Sequence, residues 1–125
     1  AEVLDDPETR ILAEGGEVLF AIDGDMAIGT CALMHAGDGM YELTKMAVEE
    51  GRQGEGIGRL LLTAAIDAFR MRAGRELFLE TNNALVPAIA LYESAGFVHQ
   101  PAIKPDSHYE RADVYMIWQA THQAT

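Results

Sequence analysis

The chain has 125 residues, 49% of them apolar and 23% charged, which suits one folded domain spanning 1–125 and leaves no room for two. Its 20 acidic against 9 basic side chains, a formal charge of −11, exclude nucleic acid as a partner, and no apolar run reaches the roughly 20 residues of a membrane span. Cys31 is the only cysteine, so no internal disulfide can form; with no basic-then-apolar leader at the start, this points to a cytoplasmic protein.

Taken in order, the chain opens on Ala1 rather than methionine, and Asp6-Pro7 reads as a helix N-cap followed by a first-turn proline. Gly15-Gly16 reads as the stop, which predicts a short helix over Pro7 to Glu14. The apolar run Val18 to Ile22 predicts a strand over Glu17 to Asp23, and Asp23-Gly24 a tight turn into a second strand from Met26 to Ala36. Gly37-Asp38-Gly39 marks the next turn, and a third strand over Met40 to Val48 completes an antiparallel meander. A long helix begins at Ile57, with Ile57, Leu60, Leu61, Ala64, Ala65 and Ala68 on one face and Gly74 at its end. A strand over Glu76 to Thr81 follows, then a helix over Val86 to Ala95 closed by Gly96. Phe97 to Gln100 and Arg111 to Gln119 read as a last pair of strands around a polar, proline-containing loop. The strand–helix–strand unit from Met40 to Thr81 calls for a right-handed crossover and a parallel pair. The fold class is therefore α/β of the α+β type, a mixed and mostly antiparallel central sheet flanked by helices.

The chemistry-bearing segment is Gln53-Gly-Glu-Gly-Ile-Gly58, set between a strand and a helix. Glycines at such a junction allow a sharp turn that bares several N–H groups, and the helix start adds partial positive charge; together they favour a phosphate. The P-loop pattern fails, because Gly58-Arg59-Leu60 stands where Gly-Lys-Ser/Thr is needed. The dinucleotide pattern fails too: from Gly54 the spacing is Gly-x-Gly-x-Gly, and no acidic residue closes a second parallel strand convincingly.

What remains, Gln53-x-x-Gly56-x-Gly58 after a strand ending Met46-Ala47-Val48, resembles the pyrophosphate loop of the GNAT superfamily of acyl-coenzyme A N-acyltransferases. A second motif, Ala88-Ile-Ala-Leu-Tyr-Glu-Ser-Ala-Gly-Phe97, resembles the helix that follows the coenzyme A site in that superfamily, in the right order and at a natural distance. The resemblance runs from about Glu17 to Trp118. The superfamily usually opens with a strand and one or two helices, so its N-terminal part looks shortened here.

The resemblance implies an N-acetyltransferase moving acetyl from acetyl-coenzyme A, as co-substrate, to a primary amine by direct attack in a ternary complex. It implies that the strands Met40 to Val48 and Glu76 to Thr81 splay apart. The main chain of Met46 would then polarise the acetyl carbonyl, and that of Val48 would hold the pantetheine arm. Gln53, Gly54, Gly56, Ile57, Gly58 and Arg59 would cradle the pyrophosphate, chiefly through N–H groups, with Arg52 and Arg59 also able to add charge. Tyr92 occupies the position of the family tyrosine near the coenzyme sulfur; a phenol with an unperturbed pKa of about 10 suits protonation of a leaving thiolate. Glu42, six residues before Val48, ranks first as base, and shares a face with Thr44 and Met46 if no bulge intervenes. Glu80, twelve residues before Tyr92, matches the glutamate of the ribosomal-protein alanine acetyltransferases, and a water relay is a third route. Leu85 departs from the family, which often has asparagine seven residues before the tyrosine; Asn82 or Asn83 would have to substitute.

His35, His99 and His108 have no metal-like spacing with each other or with Cys31, so no metal is expected, and Cys31 reads as a buried small hydrophobe. The loop His108 to Arg111 borders the acceptor pocket if the family pattern holds. The acceptor is a small-molecule or peptide amine of unread identity, and the family often forms homodimers. Two alternatives stand beside the enzyme: a catalytically silent acyl-coenzyme A sensor or regulatory module, and a nucleotide-phosphate binder.

Overall fold

The computed structural model describes residues 9–14, 18–101 and 113–119. Seven strands, β1 (Thr9–Glu14), β2 (Val18–Asp23), β3 (Met26–His35), β4 (Met40–Val48), β5 (Glu76–Thr81), β6 (Phe97–His99) and β7 (Val114–Trp118), form one sheet in the order β1-β2-β3-β4-β5-β7-β6. Helices α1 (Ile57–Met71) and α2 (Val86–Ala95) link β4 to β5 and β5 to β6. Every pairing is antiparallel except β4 with β5, the parallel pair that the intervening helix requires.

The expected helix over 7–14 is not present: Thr9–Glu14 is a strand, paired in register with β2 from Thr9↔Asp23 to Glu14↔Val18. An eight-residue helix is marginal alone, whereas Thr9–Glu14 gain a ladder of six pairs on the open edge of β2. Gly-Gly signals a hairpin as readily as a helix stop. Asp6, Pro7, Gly15, Gly16 and the loop His108 to Arg111 lie outside the described residues.

The buried stripe of α1 is also rotated from the expected one. Ile57, Leu61, Leu62, Ala65, Ile66 and Phe69 are buried, while Leu60, Ala64 and Ala68 are only partly so. The stripe packs on Leu19, Ala21, Ile28, Cys31, Leu33, Leu43, Leu77 and Leu79 of the sheet. Aromatic side chains extend the core beneath β7: Tyr41 meets Phe69 edge-on at 6.0 Å, and Phe69 meets Trp118 at 6.1 Å. Trp118 Nε1 donates to Ala95 O at 2.9 Å, which anchors the end of α2.

Two irregularities in β4 position everything that follows. Its ladder with β5 covers only Met40↔Glu76, Tyr41↔Leu77 and Glu42↔Phe78, so Leu43 to Val48 run on with no strand partner on that side among the described residues. Its pairing with β3 shifts between Thr30↔Ala47 and Ala32↔Thr44, so Cys31 faces two residues, Lys45 and Met46. This is a β-bulge, with Lys45 in the left-handed region at φ 57°.

Candidate functional site

The bulge changes which side chains share a face. Tyr41 and Leu43 pack on the α1 side before it, and Met46 and Val48 pack on the same side after it. Glu42 therefore points to the opposite face from Met46, and the expectation that Glu42, Thr44 and Met46 lie together is corrected. One extra residue resets the alternation of the strand.

Main-chain direction follows from the same register. Glu49 N–H donates to Ile28 O of β3 at 2.8 Å, so alternation turns the N–H and C=O groups of Val48 and Met46 away from β3, toward the parted side. Val48 O is met there by Gln53 Nε2 at 3.3 Å. The strand then passes through a 3₁₀ turn (Glu50–Arg52) into the glycine segment, where Gly54 and Gly56 have φ of 86° and 84°. Only glycine takes that conformation without strain, and Gly56 caps α1 with no side chain on its first amides. These N–H groups are open to an anion at the helix start.

A groove of about 670 Å³ runs along this line. Seven of the nine residues expected to hold the coenzyme line it: Met46, Val48, Gln53, Gly54, Gly56, Gly58 and Arg59. Ile57 does not; its side chain is 1% exposed and serves as the first core residue of α1. Asn82 does not either: its Oδ1 accepts from Ala84 N–H at 2.7 Å and shapes the turn before α2. The far wall is apolar, with Leu85 just before α2 and Pro87, Ala88 and Leu91 within it. Gly58 lets this wall approach, since a Cβ there would stand 3.0 Å from Leu91 Cδ2. A slot with main-chain donors at one end and an apolar flank fits a diphosphate carrying a long amide-containing arm.

The arginines divide. Arg59 lines the groove and donates from Nη2 to Ser94 Oγ at 3.0 Å, joining the start of α1 to the end of α2. Arg52 is spent elsewhere, donating to Glu55 and to Asp23, which together hold its guanidinium protonated above its ordinary value.

Tyr92 is the one fully buried side chain of α2, 7% exposed, and packs edge-on against Phe97 at 5.9 Å. It lies in the core cluster with Cys31 rather than among the groove-lining residues. Burial pushes its phenol above the ordinary value and the neighbouring Cys31 adds to the shift, so Tyr92 stays protonated through neutral pH. No hydrogen bond to its hydroxyl is present among the described residues. Cys31 is itself enclosed, its thiol directed at Leu61 O at 3.9 Å and pushed up to about 12 by burial.

Glu42 and Glu80 occupy the other face of the sheet. Leu77 and Leu79 belong to the core under α1, so Phe78 and Glu80 point away from it, and Glu42 is paired with Phe78. Glu42 is 7% exposed, the one charged residue in the buried set of described residues. Glu80 Oε1 is buried without a hydrogen-bond partner. Glu42 is the last residue of the β4–β5 ladder on this face and Glu80 the first beyond it on β5, so the two carboxylates frame the point where the strands part. Among the described residues no group of three His, Cys, Asp or Glu side chains could hold a metal ion.

The sequence reading missed Gly29. A Cβ there would lie 3.0 Å from Ile57 Cγ2, 3.0 Å from Leu61 Cδ1 and 3.3 Å from Ala47 O. An isolated glycine inside a strand pattern is the signal for such a close approach.

A similar protein, streptothricin acetyltransferase of Streptomyces lavendulae, is 35% identical over 80 residues, 64% of this chain and 42% of that protein. The [ribosomal protein bS18]-alanine N-acetyltransferase of Escherichia coli K12 is 44% identical over 55 residues, 44% of this chain and 37% of its own. The matches thus span under half the length of either relative. A Bacillus subtilis acetyltransferase solved in complex with CoA shares the fold at a TM-score of 0.69 and 22% identity, over 82% of this chain and 75% of that one. The profile of the GNAT acetyltransferase domain matches residues 14–99, the stretch that holds the parted strand, the glycine turn and both helices, and the chain belongs to the GNAT acetyltransferase family.

Proposed function

We propose that the protein is an N-acetyltransferase that moves an acetyl group from acetyl-coenzyme A to a primary amine by direct attack in a ternary complex. The observation that carries this reading is the ladder that stops at Glu42↔Phe78, leaving the edge of β4 at Met46 and Val48 without a strand partner among the described residues, beside a glycine turn. The diphosphate is held by the amides of the turn and the start of α1, and the pantetheine arm lies along the free edge of β4. The Met46 N–H donates to the thioester carbonyl oxygen, where negative charge develops as nitrogen bonds to carbon. Glu42, or Glu80, takes a proton from the ammonium, directly or through water; the family position of Tyr92 supports it as the group that gives a proton to the sulfur as the carbon–sulfur bond breaks, although its ring packs in the core and does not line the groove. The gap in the sheet lets the coenzyme reach it from the α1–α2 side and the amine from the side of the carboxylates.

The relatives support acetyl transfer to amines as different as an antibiotic and a protein alanine, which leaves the acceptor of this chain open between small-molecule and peptide amines. The acidic surface favours a cationic one. The test follows free thiol while acetyl-coenzyme A is mixed with a panel of primary amines. Thiol release that requires an amine supports the enzyme; tight coenzyme binding with no turnover on any amine would leave a silent sensor instead.

A further inference from the structure

Glu55 stands between the two left-handed glycines of the turn. A carboxylate at that position opposes any diphosphate gathered by the same amides. Its charge is matched: Arg52 Nε donates to Glu55 Oε1 at 2.9 Å, and Arg52 Nη1 donates to Asp23 Oδ2 at 2.8 Å. Neither Arg52 nor Glu55 lines the groove, although Gln53, Gly54 and Gly56 do. The guanidinium thus draws the carboxylate to the outer side of the turn, and Asp23, the last residue of β2, ties the same fork to the sheet.

We propose that Arg52 is a positioning residue for the phosphate-binding turn: it holds Glu55 outside the groove and neutralises it, so that a diphosphate meets amides rather than a carboxylate. The inference rests on the groove being the acyl-coenzyme A site. A lysine cannot replace the fork, because one ammonium lacks the fixed pair of donors that spans both carboxylates.

The experiment measures coenzyme A affinity by calorimetry, and pantetheine affinity by ligand-observed NMR, in the full chain, Arg52→Gln, Glu55→Gln and the double variant. Arg52→Gln should weaken coenzyme A about five- to tenfold while changing pantetheine, which lacks the diphosphate, less than about twofold. Adding Glu55→Gln should return coenzyme A affinity to within about twofold of the starting protein. Unchanged affinity in Arg52→Gln, an equal loss for pantetheine, or a loss that Glu55→Gln fails to recover overturns the proposal. Should Arg52→Gln not fold, Arg52→Lys is measured instead, with a smaller loss and the same recovery expected. If the unaltered protein fails to bind coenzyme A, the groove reading itself falls, a result distinct from any of these.

Discussion

Replacing Gly29 with alanine tests how tightly the helix start is seated on the sheet beneath the groove. The new methyl would meet Ile57 Cγ2 and Leu61 Cδ1 at 3.0 Å each and Ala47 O at 3.3 Å. Neither side chain has room to retreat, since Ile57 is 1% and Leu61 0% exposed, and the third contact is backbone. Overpacking of this kind costs about 1–3 kcal/mol, partly offset by the roughly 0.4–1 kcal/mol that alanine gains over glycine through the unfolded chain. The net loss, between about 0 and about 2.6 kcal/mol, corresponds to a fall in Tm of up to about 10 °C for a domain of this size. Thermal unfolding followed by circular dichroism measures it, and a coenzyme A titration of the same sample reads the displacement of the first turn of α1. A melting point above that of the parent would refute the reasoning, because the entropic gain would then exceed the clash.

Tyr92→Phe should keep the fold and reduce turnover about a hundredfold or more, the loss expected when a general acid is removed. Because burial raises its pKa, the alkaline limb attributable to Tyr92 should fall above pH 10, and a limb below that value would assign the proton to another group. Glu42→Gln and Glu80→Gln separate the two bases: the true base loses rate most strongly at low pH and recovers part of it as pH rises, while the other variant keeps the parent profile. Cys31, with its pKa lifted from 9.0 to about 12, should stay unmodified by thiol reagents at pH 8, where only about one in ten thousand is thiolate. A folded-state pKa above the unfolded one contributes stability that is complete below about pH 9 and lost as pH rises toward 12. Cys31→Ala should therefore flatten the alkaline decline in that window, and equal declines in both proteins would contradict the assignment.

Much of this arrangement was legible in the chain because strong local signals agreed with the tertiary contacts. Asp23-Gly24 and Gly37-Asp38-Gly39 marked turns that the fold uses, and β4, β5 and α2 have the bounds expected of them. The glycine turn was readable because few residues besides glycine accept the φ values at 54 and 56. Thr9–Glu14 was not, since a helix start signal and two glycines carry no record of the open sheet edge that claims the segment. Nor was the bulge at Lys45, where the residue in the left-handed region is one that rarely adopts it and so leaves no mark in composition. That hidden residue reversed the facing of Glu42 relative to Met46. Arg52 read as a phosphate-binding charge because proximity in sequence to the turn cannot reveal a partner 29 positions away at Asp23.

Because of the inserted residue, a single strand works in two phases. Its first half turns the odd-numbered side chains toward α1, and its second half turns the even-numbered ones there. Deleting Lys45 would merge the two phases into one regular alternation that keeps Tyr41, Leu43, Met46 and Val48 on the same side; what it would remove is the local bend and added twist that the extra residue gives the strand just before the glycine turn.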